Sequence, residues 1–139
     1  MALPDSLLRV EVVSADGVIW EGEAESVIAR TTEGDIGILP NHEPLLAVLV
    51  PSAAEVLSSE GNREIVALDG GFLSVAGNRV AILSGYAKMA QEITLADAEV
   101  ELAEATKNLE AGHNDETTKH HFDRATAQVK AAHRMAGRH

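Results

Sequence analysis

The residues best placed to do chemistry stand together in EGDIGILPNHEPLLAVLV, positions 33–50. Glu33, Asp35, His42 and Glu43 sit there among two glycines and two prolines, directly ahead of a run of large aliphatics. Gly34 and Gly37 permit tight backbone, and Pro40 and Pro44 stiffen both sides of Asn41 and His42. Leu45, Leu46, Val48, Leu49 and Val50 anchor the stretch in a core. This pattern predicts a β-bulged loop held rigid with its polar tips outward. The chemistry it offers is recognition, although on physics alone a well-ordered turn fits as well as a docking surface.

Other reactive constellations are thin. The chain has no G-x-S-x-G elbow, Walker A loop, H-E-x-x-H or G-x-G-x-x-G fingerprint, so no catalytic residues are expected. Of six histidines, His120 and His121 are adjacent and point apart on a helix. His113, His133 and His139 keep no ligand spacing with them, so no metal is expected. Asp69-Gly70-Gly71 reads either as an anion-cradling nest or as positive φ at a turn between two core strands.

Composition limits the classes further. A chain of 139 residues with 45% hydrophobic content suits one packed domain, or a domain with an appendage. Two Phe, one Trp and one Tyr leave the burial to aliphatic side chains. With no cysteine there are no disulfides or thiolate sites, which suits the cytosol. Neither a membrane span nor a signal peptide is expected from the sequence. A formal net charge of −11 argues against nucleic acid and anionic lipid and leaves proteins as partners. Residues 1–91 hold 13 acids and 5 bases, residues 92–106 hold 5 acids and no base, and residues 107–139 hold 4 acids and 6 bases. A basic tail on an acidic body can dock on an acidic surface or simply solvate a helix.

The elements that must position these groups divide near residue 88. From Leu7 to Tyr86, short Val-, Ile- and Leu-rich segments recur between turn signals such as Asp16-Gly17, Gly61-Asn62 and Gly77-Asn78, the mark of an all-β unit. In LLRVEVVS, Leu8, Val10 and Val12 share one face against Arg9 and Glu11. The reading is a β-sandwich of about eight to ten short strands over residues 1–88. Over residues 89–139 the period becomes helical, giving a C-terminal antiparallel two-helix hairpin. Thr94 and Asp97 give a capping signal, and Leu95, Ala98, Leu102, Ala105 and Leu109 alternate spacings of three and four up to Gly112. Phe122, Ala125, Val129, Ala132 and Ala136 repeat the pattern. Alanine seams bury little area, so this hairpin is weakly held and is a candidate moving part.

The motifs EGDIGILPNHEPLLAVL, VVSADGVIWEGEAESV and LDGGFLSVAGNRVAILSGYA, in that spread over about residues 7–135, resemble the epsilon subunit of bacterial F-type ATP synthases. The resemblance implies a non-catalytic, cofactor-free subunit of the rotating central stalk. There the sandwich joins the gamma subunit to the c-ring, on the cytoplasmic face of the bacterial plasma membrane. It also implies that Glu33, Asp35 and His42 face the polar loops of the c-ring. The hairpin of such a subunit lies folded on the sandwich or extends into the alpha/beta catalytic head and inhibits ATP hydrolysis. Lys130, Arg134 and Arg138, spaced by four, are then its expected contacts to an acidic loop of the beta subunit. Some members bind ATP through I/L-D-x-x-R-A on the first helix. In LADAEV here Leu95 fits, but Ala96 replaces the acid, Glu99 the arginine and Val100 the alanine, so no nucleotide site is expected. Without the resemblance, the residues equally allow a stand-alone ligand-binding β-sandwich with a helical lid, which would need no gamma partner.

Overall fold

The computed structural model describes residues 7–137. Among them the chain forms strands β1 (Leu8–Ser14), β2 (Gly17–Thr31), β3 (Gly34–Ile38), β4 (Leu45–Ser58), β5 (Arg63–Ala76), β6 (Arg79–Leu83) and β7 (Ala87–Met89). A 3-10 turn (Ala90–Glu92) then leads into α1 (Leu95–Glu110) and α2 (Glu116–Ala136). A β-rich unit followed by a helical hairpin is the predicted fold class.

The strands hydrogen-bond in the order β1-β6-β5-β4-β2-β3, with β7 added on β5, and β2 returns to pair with β1. Five strands therefore close a ring, which is flattened into two layers. The turn spacing predicts eight to ten short strands. Seven are found among the described residues, because β2, β4 and β5 run 15, 14 and 14 residues and serve both layers. β4 and β5 stay paired from Leu45 opposite Val75 to Leu57 opposite Arg63. Each carries a special residue at the same level. Pro51 cannot donate to the ladder, and Gly70 and Gly71 both adopt φ +119. Asp69-Gly70-Gly71 thus lies inside one long strand and not in a turn between two. A Cβ on Gly71 would meet the Leu83 carbonyl oxygen at 2.0 Å, so only glycine lets β5 pass β6 there.

Strand alternation delivers Leu8, Val10 and Val12 to the interior as predicted. They join Val27, Ile38, Val56, Val66, Leu68, Leu73, Val75, Val80 and Ile82 between the layers. Both helices form where the period changes. Thr94 stands at the N-cap of α1, but its hydroxyl makes no capping bond. Asp115 caps α2 by accepting from the Thr118 N–H at 2.8 Å.

The hairpin is folded against the sandwich. Ala127 and Ala131 of α2 pack on Ala53, Ile65, Ala67 and Ala90. α1 lies on α2, with Ala98, Ala105, Ala125 and Ala132 buried. Small side chains bring the backbones close yet remove little apolar surface from water, so this joint is thin for its length.

Candidate functional site

Asp35 lies on β3, the terminal strand of the sheet order, with Glu33 in the turn before it and His42 in the turn after it. Thr31 closes the β2–β3 turn, its hydroxyl donating to the Gly34 carbonyl at 2.8 Å and accepting from the Glu33 N–H at 3.0 Å. Asp35 is paired with Arg30, which donates from Nε to Oδ1 at 2.8 Å and from Nη2 to Oδ2 at 3.2 Å. That hydrogen bonding holds the Asp35 carboxyl below the usual carboxylate range and raises the Arg30 guanidinium.

Past the far end of β3, Leu39 to His42 form a turn closed by the His42 N–H on the Leu39 carbonyl at 3.2 Å. Pro40 in the second position and Asn41 at φ 70 in the third give it type II geometry. His42 Nδ1 lies 2.7 Å from the Glu43 carbonyl oxygen, which can only accept. Nδ1 therefore carries a proton in this contact, and Nε2 is the nitrogen left to meet a partner. The three residues do not converge. They are spread along an edge of roughly 17 Å, the rise of a five-residue strand. This edge replaces the single bulged loop read from the sequence, because β3 is regular enough to pair with β2 from Gly34 to Ile38.

A second surface was not legible as a site. Val18, Val13, Leu83, Phe72 and Val48 are register neighbours across β2, β1, β6, β5 and β4. Val18, Leu83, Phe72 and Val48 are 56%, 46%, 51% and 49% exposed, and Leu46 nearby is 74% exposed. Leu46 and Val48, expected to anchor residues 33–50 in the core, thus stand on the outer face of β4 by strand alternation. The register neighbours form an apolar band about 19 Å wide, four interstrand spacings. A shallow hollow of about 340 Å³ opens between Val13, Phe72 and Leu83. This is the outer face of the layer that the hairpin does not cover. The available signal was the adjacent apolar pairs Val12-Val13, Phe72-Leu73 and Ile82-Leu83. In a strand, such pairs put one member on each face.

Of the hairpin residues expected at a catalytic head, Arg134 is turned to the chain's own sandwich. Arg134 Nη1 lies 3.3 Å from both the Ala53 carbonyl oxygen and Glu55 Oε2. Glu55, only 7% exposed at its side chain, also lies 3.7 Å from Arg63. Lys130 borders the same cleft with Arg30, Ser52 and His133, and Arg138 lies outside the described residues. At the other end of α2, Arg124 Nε reaches Asp69 Oδ2 at 3.3 Å and stacks 5.1 Å from the Tyr86 ring centroid. Asp69 Oδ1 is also held by the Ser84 hydroxyl at 3.0 Å and the Tyr86 N–H at 3.2 Å. Burial raises the Tyr86 pKa, against the hydrogen bond from Gln128. On α1, Ala96 and Glu99 are exposed, and Glu99 lies 3.8 Å from His133 Nε2.

The chain is thus a closed, flattened β unit with a docked alanine-seamed hairpin, an exposed apolar band and a charged edge at β3. Residues 7–90 match the family described as ATP synthase, Delta/Epsilon chain, beta-sandwich domain. The ATP synthase epsilon chain of Cutibacterium acnes is 41% identical over 139 residues, covering 94% of both chains. That of Corynebacterium diphtheriae is 40% identical over 130 residues, covering 93% of this chain and 96% of its own. A chain in the Euglena gracilis mitochondrial ATP synthase shares the fold, with a TM-score of 0.75 at 22% identity over 98% of this chain and 84% of that one. The chain belongs to the ATP synthase delta/epsilon family, among the bacterial epsilon chains. Among the described residues no helix is long and apolar enough to cross a membrane.

Proposed function

We propose that the chain is a non-catalytic central-stalk subunit of a bacterial proton-translocating F-type ATP synthase, joining gamma to the c-ring on the cytoplasmic side of the plasma membrane. The observation that carries this is the bare apolar band of Val13, Val18, Val48, Phe72 and Leu83, opposite the hairpin-covered face. An exposed contiguous apolar band on a β face is the signature of a partner surface. Gamma is its occupant in this reading. The β3 edge with Glu33, Asp35 and His42, stiffened by the Arg30 pair and the Pro40 turn, is the contact to the c-ring.

The hairpin is the regulatory unit. Its thin alanine joint suits an element that leaves the sandwich and meets the alpha/beta head through Lys130, Arg134 and Arg138. In the folded state Arg134 is engaged by Glu55, so that exchange must break this pair first. The division into a docking unit (residues 1–88) and a regulatory unit (89–139) cuts within β7, whose Met89 is buried in the core. A deletion that tests it should therefore keep residues up to 94.

The test is copurification with gamma. Phe72→Arg together with Leu83→Arg adds charge at two exposed sites. Such surface changes usually shift stability by within about 0.5 kcal/mol, so the variant should keep its thermal midpoint and lose gamma. A folded variant that retains gamma with unchanged affinity contradicts the assignment of this face.

A further inference from the structure

The turn that presents His42 does not hold itself. In its type II geometry the closing bond uses the His42 N–H and leaves the Asn41 N–H pointing away from the turn. That amide donates instead to Asn78 Oδ1 at 2.6 Å, across 37 residues of chain. Asn78 Nδ2 returns toward Asn41 Oδ1 at 3.4 Å. Asn78 itself is fixed from two sides. It sits at φ 63 in the β5–β6 turn, after Gly77 at φ 56, and its carbonyl accepts from the Arg9 N–H of β1 at 2.8 Å.

We infer that Asn78 is a positioning residue for the recognition edge, a clasp that ties the His42-bearing turn to the β5–β6 hairpin and through it to β1. The inference rests on the reading of that edge as the rotor contact. The chemistry needs an asparagine on both counts. Its side chain has an acceptor for the Asn41 amide and a donor for the Asn41 side chain, and its backbone tolerates positive φ better than most residues. Without the clasp, the turn is left, among the described residues, with its 3.2 Å closing bond from the His42 N–H to the Leu39 carbonyl. His42 Nε2 would then be presented over a range of directions. A torque-bearing contact requires one direction, and the clasp supplies it from a neighbouring hairpin and not from the turn's own sequence.

The experiment uses the full chain with two substitutions. Asn78→Gly keeps the positive φ without strain and removes the side-chain contacts to Asn41. Asn78→Asp keeps the φ tolerance and the acceptor for the Asn41 amide, and loses the longer donor contact to Asn41 Oδ1. Solvent exchange of the Asn41 amide, followed by NMR, should accelerate on the order of fivefold in Asn78→Gly, the worth of one ordinary hydrogen bond. It should return to within about twofold of the parent in Asn78→Asp. Amides of β1 and β5 should not change. Unchanged Asn41 exchange in Asn78→Gly overturns the clasp, as does equal acceleration throughout β1 and β5. ATP-driven proton pumping by the complex carrying Asn78→Gly then addresses the rotor reading separately. Reduced pumping per ATP supports both, while altered exchange with unchanged pumping leaves the clasp standing and overturns the reading of the edge.

Discussion

Asp123 lies on α2, where partial burial and then the nearby Asp69 carboxylate raise its pKa above the ordinary 3.8. A raised carboxyl is ionised at neutral pH against the preference of the folded state. It therefore lowers stability there, and the loss develops as pH rises through the folded pKa. Asp123→Asn removes the charge, so the variant should melt at a higher temperature than the parent at neutral pH. The difference should shrink to nothing as pH falls below the ordinary 3.8, where the acid is protonated in both states. Melting curves across that range check the sign, and a lower neutral-pH midpoint for the variant contradicts it. Asp69, by contrast, is satisfied by Ser84, the Tyr86 amide and Arg124. The Ser84 and Tyr86 partners belong to the sandwich, and Glu55 likewise keeps Arg63 when Arg134 departs. Release of α2 thus takes an arginine from each acid but leaves neither without a partner, which lowers the cost of letting the hairpin go.

Among the elements, β5 is the one the fold depends on most, because it is paired along its length and bends within it. Gly71→Ala would place a Cβ 2.0 Å from the Leu83 carbonyl oxygen at φ +119. It should cost more than about 2 kcal/mol, since strain at a special φ and a backbone clash add. Urea unfolding measures this, and a cost under about 0.5 kcal/mol would show that the bend does not need its glycine. The same element shows what the sequence made legible. Alternation in LLRVEVVS and the change of period near residue 88 gave the strands, the helices and the core face, because both periods are local properties. The glycine-marked turns at Asp16-Gly17, Glu33-Gly34, Gly61-Asn62 and Gly77-Asn78 were read correctly as breaks, but Asp69-Gly70-Gly71 was not. A bend inside a strand and a turn between strands demand the same residues, and the pairing that separates them is nonlocal. Glu33, Asp35 and His42 were singled out by their glycine and proline setting, while their role came only from the resemblance. The apolar band was not, because it is assembled from five strands at one register level.

At the scale of the whole molecule the sandwich offers two outer faces and an edge at β3, and the three differ in character. The hairpin covers one face, the apolar band lies on the other, and β3 carries the charged edge. If the hairpin is the regulatory unit, a chain ending at residue 94 should assemble with the catalytic head and leave ATP hydrolysis faster than the full chain does. Equal hydrolysis with both chains contradicts the inhibitory role. Nucleotide should not set the hairpin's position. Ala96 and Glu99 offer a triphosphate no cation on α1, so Mg-ATP should bind the isolated chain more weakly than about 1 mM, near −4 kcal/mol. A saturable micromolar calorimetric isotherm contradicts that. The central claim is that this chain carries rotation between gamma and the c-ring, and proton pumping per ATP hydrolysed tests it most directly. It is measured in inverted membrane vesicles with the parent chain and with the Asp35→Ala, His42→Ala double variant. The variant should assemble, keep its thermal midpoint and pump fewer protons per ATP; unchanged pumping by a fully assembled complex would rule out this role for the edge.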